Sequence, residues 1–254
     1  MRVNSECSMI HQNQISRLKS GFEILKFSID KKEWKNRDYI MKFDDIQAIF
    51  FDFDGVILDS TRVKDATFQV MFKQYGETIV KKVLEHHRYH GGISRVEKIR
   101  HYYQEYLQKP LSKDELKQQC SEFSDRVKQK VIDSPWIEGI EDFLKKWYTR
   151  LPLFIISGTP QDELVDIVKA REMENFFLQK LGSPIKKPEH VRMLLKKYRL
   201  IAGKCIFIGD ALTDYNAAME TGTKFIGIQG NIEFPDSVHV LKNGKHLEKA
   251  IISI

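Results

Sequence analysis

Four short stretches of this chain carry residues that could handle phosphorus. The first is Phe51-Asp52-Phe53-Asp54-Gly55. Two carboxylates two residues apart could hold a cation, or one could attack phosphorus while the other handles the leaving-group proton. Asp and Gly also build ordinary surface turns, but here the apolar run Ile46 to Phe51 leads straight into them. In Ile156-Ser157-Gly158-Thr159-Pro160, a hydroxyl and the free N–H groups of a helix start would favour a phosphate. A plain cap at Thr159 with Pro160 as first helical residue accounts for the same string. Ser183-Pro184-Ile185-Lys186-Lys187-Pro188 brings a lysine, 186 or 187, to a helix start. A fixed ammonium there could stabilise both an attacking carboxylate and the phosphoryl charge. Finally, Ile208-Gly209-Asp210-Ala211-Leu212-Thr213-Asp214 sets two acids four residues apart at a strand-to-helix turn, oxygen donors suited to Mg²⁺. Helix N-termini favour Asp in any case, which explains Asp214 better than Asp210.

The elements that must position these residues are legible as short apolar runs. Strand signals fall at 46–51, 151–156, 204–208 and 224–228, and helical patterns at 160–170, 188–198 and 213–221. Such alternation predicts βαβ units and an α/β fold with a doubly wound, Rossmann-like parallel sheet. In such sheets ligands bind beyond the carboxyl ends of the strands, where all four stretches fall. Residues 61–134 lack good strand signals but have helical periodicity, with capping boxes expected at Ser94–Glu97 and Ser112–Glu115. They read as a helical domain inserted into a core formed by 45–60 and 135–254. Residues 1–44 read as an N-terminal extension with an amphipathic stretch around Ile15 to Phe27.

The composition, 42% hydrophobic and 30% charged, is that of a globular protein. No apolar run is long enough for a bilayer, and the polar start, Met1 to Ser20, lacks the apolar core of a secretion signal. A cytoplasmic location is expected, with no membrane partner. Cys7, Cys120 and Cys205 are widely spaced and outline neither a disulfide framework nor a zinc site. The net charge of +6 divides as +3 over residues 1–40, +5 over 61–134 and −2 over the rest. That distribution suits a small anionic substrate and lacks the basic reading module expected of a nucleic-acid partner.

Taken together and in order, Asp52-x-Asp54-Gly-Val, Ser157, Lys187 and Gly209-Asp210-x-x-x-Asp214 resemble the four motifs of the haloacid dehalogenase superfamily. The likeness is to its helical-cap branch, similar to β-phosphoglucomutase and phosphoglycolate phosphatase. The resemblance implies that Asp52 attacks phosphorus and becomes an aspartyl-phosphate. It makes Asp54 the general acid and then base, its backbone carbonyl touching the metal. Ser157, with Gly158, and Lys187 would hold the phosphoryl oxygens; Lys187 is preferred over Lys186 because the family's lysine commonly precedes proline. Asp52, Asp54, Asp210 and Asp214 would surround Mg²⁺, Asp214 through the metal or Lys187. An acid at position 54 implies an oxygen leaving group, hence phosphate esters rather than halides.

The insertion would be a cap over the site. Its string Gly92-Ile93-Ser94-Arg95 resembles the cap loop of the same branch, which implies that Arg95 meets an anionic part of the substrate. His86, His87 and His90 are expected on an exposed polar face, and Tyr102, Tyr103 and Tyr106 in the cap core. The function expected is a Mg-dependent phosphatase acting on a small phosphorylated metabolite, a sugar phosphate or phosphoglycolate. A phosphomutase of the β-phosphoglucomutase type is the alternative. A non-catalytic binding protein on the same fold would be expected to have lost Asp52 or Asp210, and both are present.

Overall fold

The computed structural model describes Phe43 and residues 45–254. The expected amphipathic stretch and Cys7 lie outside the described residues. Six parallel strands form one sheet in the order β3-β2-β1-β4-β5-β6. They are β1 (Ala48–Phe51), β2 (Leu153–Pro160), β3 (Gln179–Ser183), β4 (Cys205–Gly209), β5 (Lys224–Ile228) and β6 (His239–Leu241). The chain builds outward from β1 through β2 to β3, then crosses back to β4 on the other side of β1. The end of β1 is therefore the topological switch point, where open parallel sheets bind ligands.

The strands are apolar throughout because both faces are covered. Side chains alternate between faces, so Ile49 and Phe51 join one buried cluster while Ala48 and Phe50 join the other. On the first face lie α5 (Ile140–Trp147), α6 (Gln161–Ala170) and α9 (Leu247–Ser253); on the second, α7 (Lys187–Tyr198) and α8 (Leu212–Thr221). Phe43 stacks on Trp147 at 4.0 Å between ring centroids and is buried, so the core begins before residue 45. Cys205 is also buried, and burial pushes its thiol up to about 12, as for an inert core thiol.

Between β1 and β2 stand four cap helices: α1 (Thr61–Phe72), α2 (Glu77–Tyr89), α3 (Arg95–His101) and α4 (Lys113–Ile132). A π-helical turn at Tyr102–Tyr106 follows α3. Tyr102 is fully buried and meets Phe68 and Phe72 edge-on, each at 5.5 Å, and Tyr103 is buried too. At α4 the capping box closes in both directions between Ser112 and Glu115. At α3 it closes one way: Ser94 accepts from the Glu97 N–H, but Glu97 bonds the Ser94 hydroxyl instead of its backbone. Among the described residues no helix is long and apolar enough to cross a membrane.

Two sequence expectations are corrected here. The second strand runs on through Ser157, Gly158 and Thr159 to Pro160, so Thr159 is a buried strand residue and not a helix cap. The histidines of α2 do not form an exposed face. His86 stacks against His101 at 4.4 Å, and His87 packs 4.7 Å from the Phe68 ring.

Candidate active site

The residues singled out at the strand ends converge at the switch point. Asp52, one residue past β1, is 4% exposed. One carboxylate oxygen, Oδ1, accepts the N–H of Phe53 at 2.7 Å, and Oδ2 lies 2.9 Å from the ammonium of Lys187. Lys187 opens α7, with Pro188 just behind it, and also reaches Asp214 at 2.6 Å. Its neighbour Lys186 is exposed, outside this group. Burial would lower the lysine, yet Asp214 and Asp52 together hold it above its ordinary value, so it is a permanent cation. Asp214, fully buried in the first turn of α8, also accepts the N–H of Ala211 at 3.1 Å.

Asp52, Asp210 and Asp214 each offer an oxygen within 4.8 Å of the others. Burial and the neighbouring carboxylates push both Asp210 and Asp214 up against the opposing pull of Lys187, as expected where like charges face one another at close range. An all-oxygen set of this charge fits a hard divalent ion such as Mg²⁺. Gly55 makes room for the Asp210 carboxylate: at φ +80°, a Cβ there would lie 2.2 Å from Oδ2 of Asp210.

The carboxylate of Asp54 turns away from this cluster. Its Oδ1 accepts from Ser60 at 2.6 Å, and its Oδ2 accepts from Thr159 at 3.0 Å and from the ammonium of Lys64. Burial alone would raise Asp54, but the charge of Lys64 and these hydrogen bonds hold it below the usual carboxylate range. Two carboxylates two residues apart are thereby divided between different environments, the arrangement that separates a nucleophile from an acid–base group. Lys64, Ser60 and Thr159 were not anticipated from sequence. Only a helical phase for α1 that turned position 64 toward the Asp pair could have signalled Lys64.

Ser157 is buried, its hydroxyl accepting the Thr159 N–H at 3.0 Å. Directly above, the cap loop rests on the core. Thr213 donates to the carbonyl of Gly91 at 2.7 Å, and a Cβ on Gly158 would meet the carbonyl oxygen of Gly92 at 2.4 Å. The loop can sit this low only because Gly158 has no Cβ to meet the Gly92 carbonyl and Gly92 has none to meet Thr213.

Arg95 is placed differently from the sequence expectation. It is buried, and its guanidinium grips Glu163 of α6 with two bonds of 2.8 and 2.5 Å while also donating to Ser124. Its carbon centre stacks 4.7 Å over Phe123. The fork that would hold a substrate anion bidentately is already taken by a carboxylate. The pair ties cap to core across 68 residues of sequence, a partner no local pattern could name.

The sequence profile of the haloacid dehalogenase-like hydrolases matches residues 49–228. The chain belongs to this family of enzymes. It is 24% identical over 212 residues to a phosphorylated carbohydrates phosphatase of Thermotoga maritima, covering 81% of this chain and 91% of that one. The fold is shared with a β-phosphoglucomutase of Clostridium difficile, at TM-score 0.68 and 19% identity over 82% of this chain and 97% of that one. It is also shared with a predicted phosphoglycolate phosphatase of Haemophilus somnus 129pt, at TM-score 0.64 and 19% identity over 81% and 98%.

Proposed function

We propose that the protein is a Mg-dependent phosphatase of a small phosphorylated metabolite, in the sugar phosphate or phosphoglycolate class, acting through an aspartyl-phosphate on Asp52. The observation that carries this reading is the division of the aspartate pair. Asp52 is aligned by Lys187 and a backbone N–H, while Asp54 is held apart by Ser60, Thr159 and Lys64.

An oxygen of Asp52 attacks the phosphorus of the ester, and the bond from phosphorus to the leaving oxygen breaks. Asp54 delivers a proton to that oxygen. Lys64 keeps Asp54 ionised before substrate arrives, and the dianionic phosphoryl group drives it to take up a proton from solvent, which it then donates. In the second half, Asp54 takes a proton from water as the water oxygen attacks phosphorus, and the Asp52 carboxylate leaves. Ser157, the N–H of Gly158 and Lys187 hold the phosphoryl oxygens as their charge develops. Asp52, Asp210 and Asp214, with the Asp54 carbonyl, would hold magnesium, which supplies neutralisation of the carboxylate and phosphoryl charge.

A cytoplasmic location belongs to the same proposal; among the described residues Cys120 and Cys205 form no disulfide. One observation favours a phosphomutase as the second reading: the cap loop lies directly on the core at Gly158 and Thr213, where it would shield a phosphoenzyme from water. Phosphate release from a panel of phosphorylated metabolites, with Mg²⁺ and with EDTA, tests both. Metal-dependent release lost in Asp52→Asn supports the phosphatase. Isomer formation without release, dependent on a bisphosphate activator, would replace it with the mutase.

A further inference from the structure

The cavity between cap and core is lined by four cationic side chains, Lys64, Arg88, Arg95 and Lys98. Three already face a carboxylate: Lys64 pairs with Asp54, Arg88 with Asp65 at 2.8 Å, and Arg95 with Glu163 at 2.5 Å. Lys98 does not. It is 3% exposed, and no carboxylate among the described residues forms an ion pair with it. Its ammonium donates to Nδ1 of His87 at 2.7 Å and to the His87 carbonyl at 3.2 Å. An ammonium has three N–H donors, so one remains after these two bonds.

A buried ammonium with no carboxylate in direct contact is expensive, and Asp65 and Asp54 attract Lys98 only from a distance. The surroundings nonetheless hold it in place. His87 is kept neutral by burial and by the positive charges of Lys98, Lys64 and Arg88. It therefore accepts at Nδ1 and presents its Nε2 proton toward Asp65, 3.6 Å away. Asp65 in turn is fixed by Arg88. This chain of groups aims Lys98 without neutralising it.

Resting on the phosphatase reading, we propose that Lys98 is a cationic subsite in the cap wall that receives a second anionic group of the substrate. The preferred substrates are then phosphate monoesters that also carry a carboxylate or a further phosphate, and the ligand of that group is Lys98, not Arg95. Burial, with Lys64 nearby, lowers Lys98 to about 7, and a bound anion would reverse that shift.

The test compares kcat/KM within two matched pairs on the full chain: 2-phosphoglycolate against ethyl phosphate, and a hexose bisphosphate against the hexose monophosphate. Wild-type protein should prefer the doubly anionic member of at least one pair, and that pair identifies the carboxylate or the phosphate as the second group. In Lys98→Met and in Lys98→Gln, the preference should shrink by about 10- to 100-fold, the range of one buried charge-assisted hydrogen bond. Thermal melts identify which of the two variants is folded. Met keeps the apolar stem and Gln keeps a donor for His87. A wild-type enzyme that hydrolyses these esters without preference overturns the subsite and leaves the phosphatase standing. So does a preference that survives in a folded Lys98 variant. Hydrolysis of none of the four, nor of p-nitrophenyl phosphate, overturns the phosphatase reading and the subsite with it.

Discussion

Replacing Gly158 by Ala adds one methyl group at the seam between cap and core. Gly158 lies in β2 and its φ is not positive, so alanine is unstrained there and the core should fold as before. The added Cβ would meet the Gly92 carbonyl oxygen at 2.4 Å, where ordinary contact begins at 3.4 Å. Both partners are backbone or rigidly attached to it, so no side chain can swing aside. The cap loop must retreat by about 1 Å, and a misplacement of ~1 Å at a reacting centre costs on the order of 100-fold in rate. That equals ~2.7 kcal/mol of transition-state stabilisation. The assay is steady-state phosphate release beside a thermal melt. The reasoning expects kcat/KM to drop by about two decades while Tm shifts by no more than ~2 °C. Wild-type kcat/KM in Gly158→Ala would refute the claim that this loop must seat on the core for turnover.

Three other perturbations follow from the same geometry. Glu163→Gln leaves Arg95 buried without its counter-charge and should cost about 3 kcal/mol in urea unfolding; a cost under ~1 kcal/mol would mean that Ser124 and Phe123 suffice. Lys64→Met removes the cation that holds Asp54 low, so the limb of the kcat–pH profile that reports Asp54 should move to higher pH, and an unmoved limb would separate Lys64 from the acid–base group. Burial holds His87 below its ordinary value of 6.5 and His86 near 4. The unfolded chain therefore takes up protons that the folded one refuses, and stability should fall as pH drops through about 6.5 toward 5. Melts across that range should show the loss, with a shallower slope in His87→Gln.

Much of the core was readable because its signals are local. The runs ending at Phe51 and Ile208 are apolar on both faces, and the acids stand directly at their ends, so strand and chemistry are written in the same few residues. The edge strand β3, Gln179–Ser183, escaped detection because Gln179, Lys180 and Leu181 are only partly buried, and their mixed character gives no strand signature. The cap was legible as helices but not as a binding surface. Position 95 announced an arginine beside the site, yet its partner Glu163 comes from the far side of β2. Lys98 and His87 stand on different helices, and each alone reads as a solvated polar residue. What decided their roles is which carboxylates pack beside them, and that is settled by tertiary contact, not by spacing.

The central claim is that Asp52 carries the phosphoryl group. Its most direct test is to mix the enzyme with Mg²⁺ and its best substrate, quench in acid within one turnover, and map the peptides by mass spectrometry. The account predicts the mass of one phosphoryl group on the peptide containing Asp52, absent when the quench is delayed past turnover and absent in Asp52→Asn. Turnover with no phosphorylated Asp52 at any quench time, or undiminished turnover in Asp52→Asn, would contradict it.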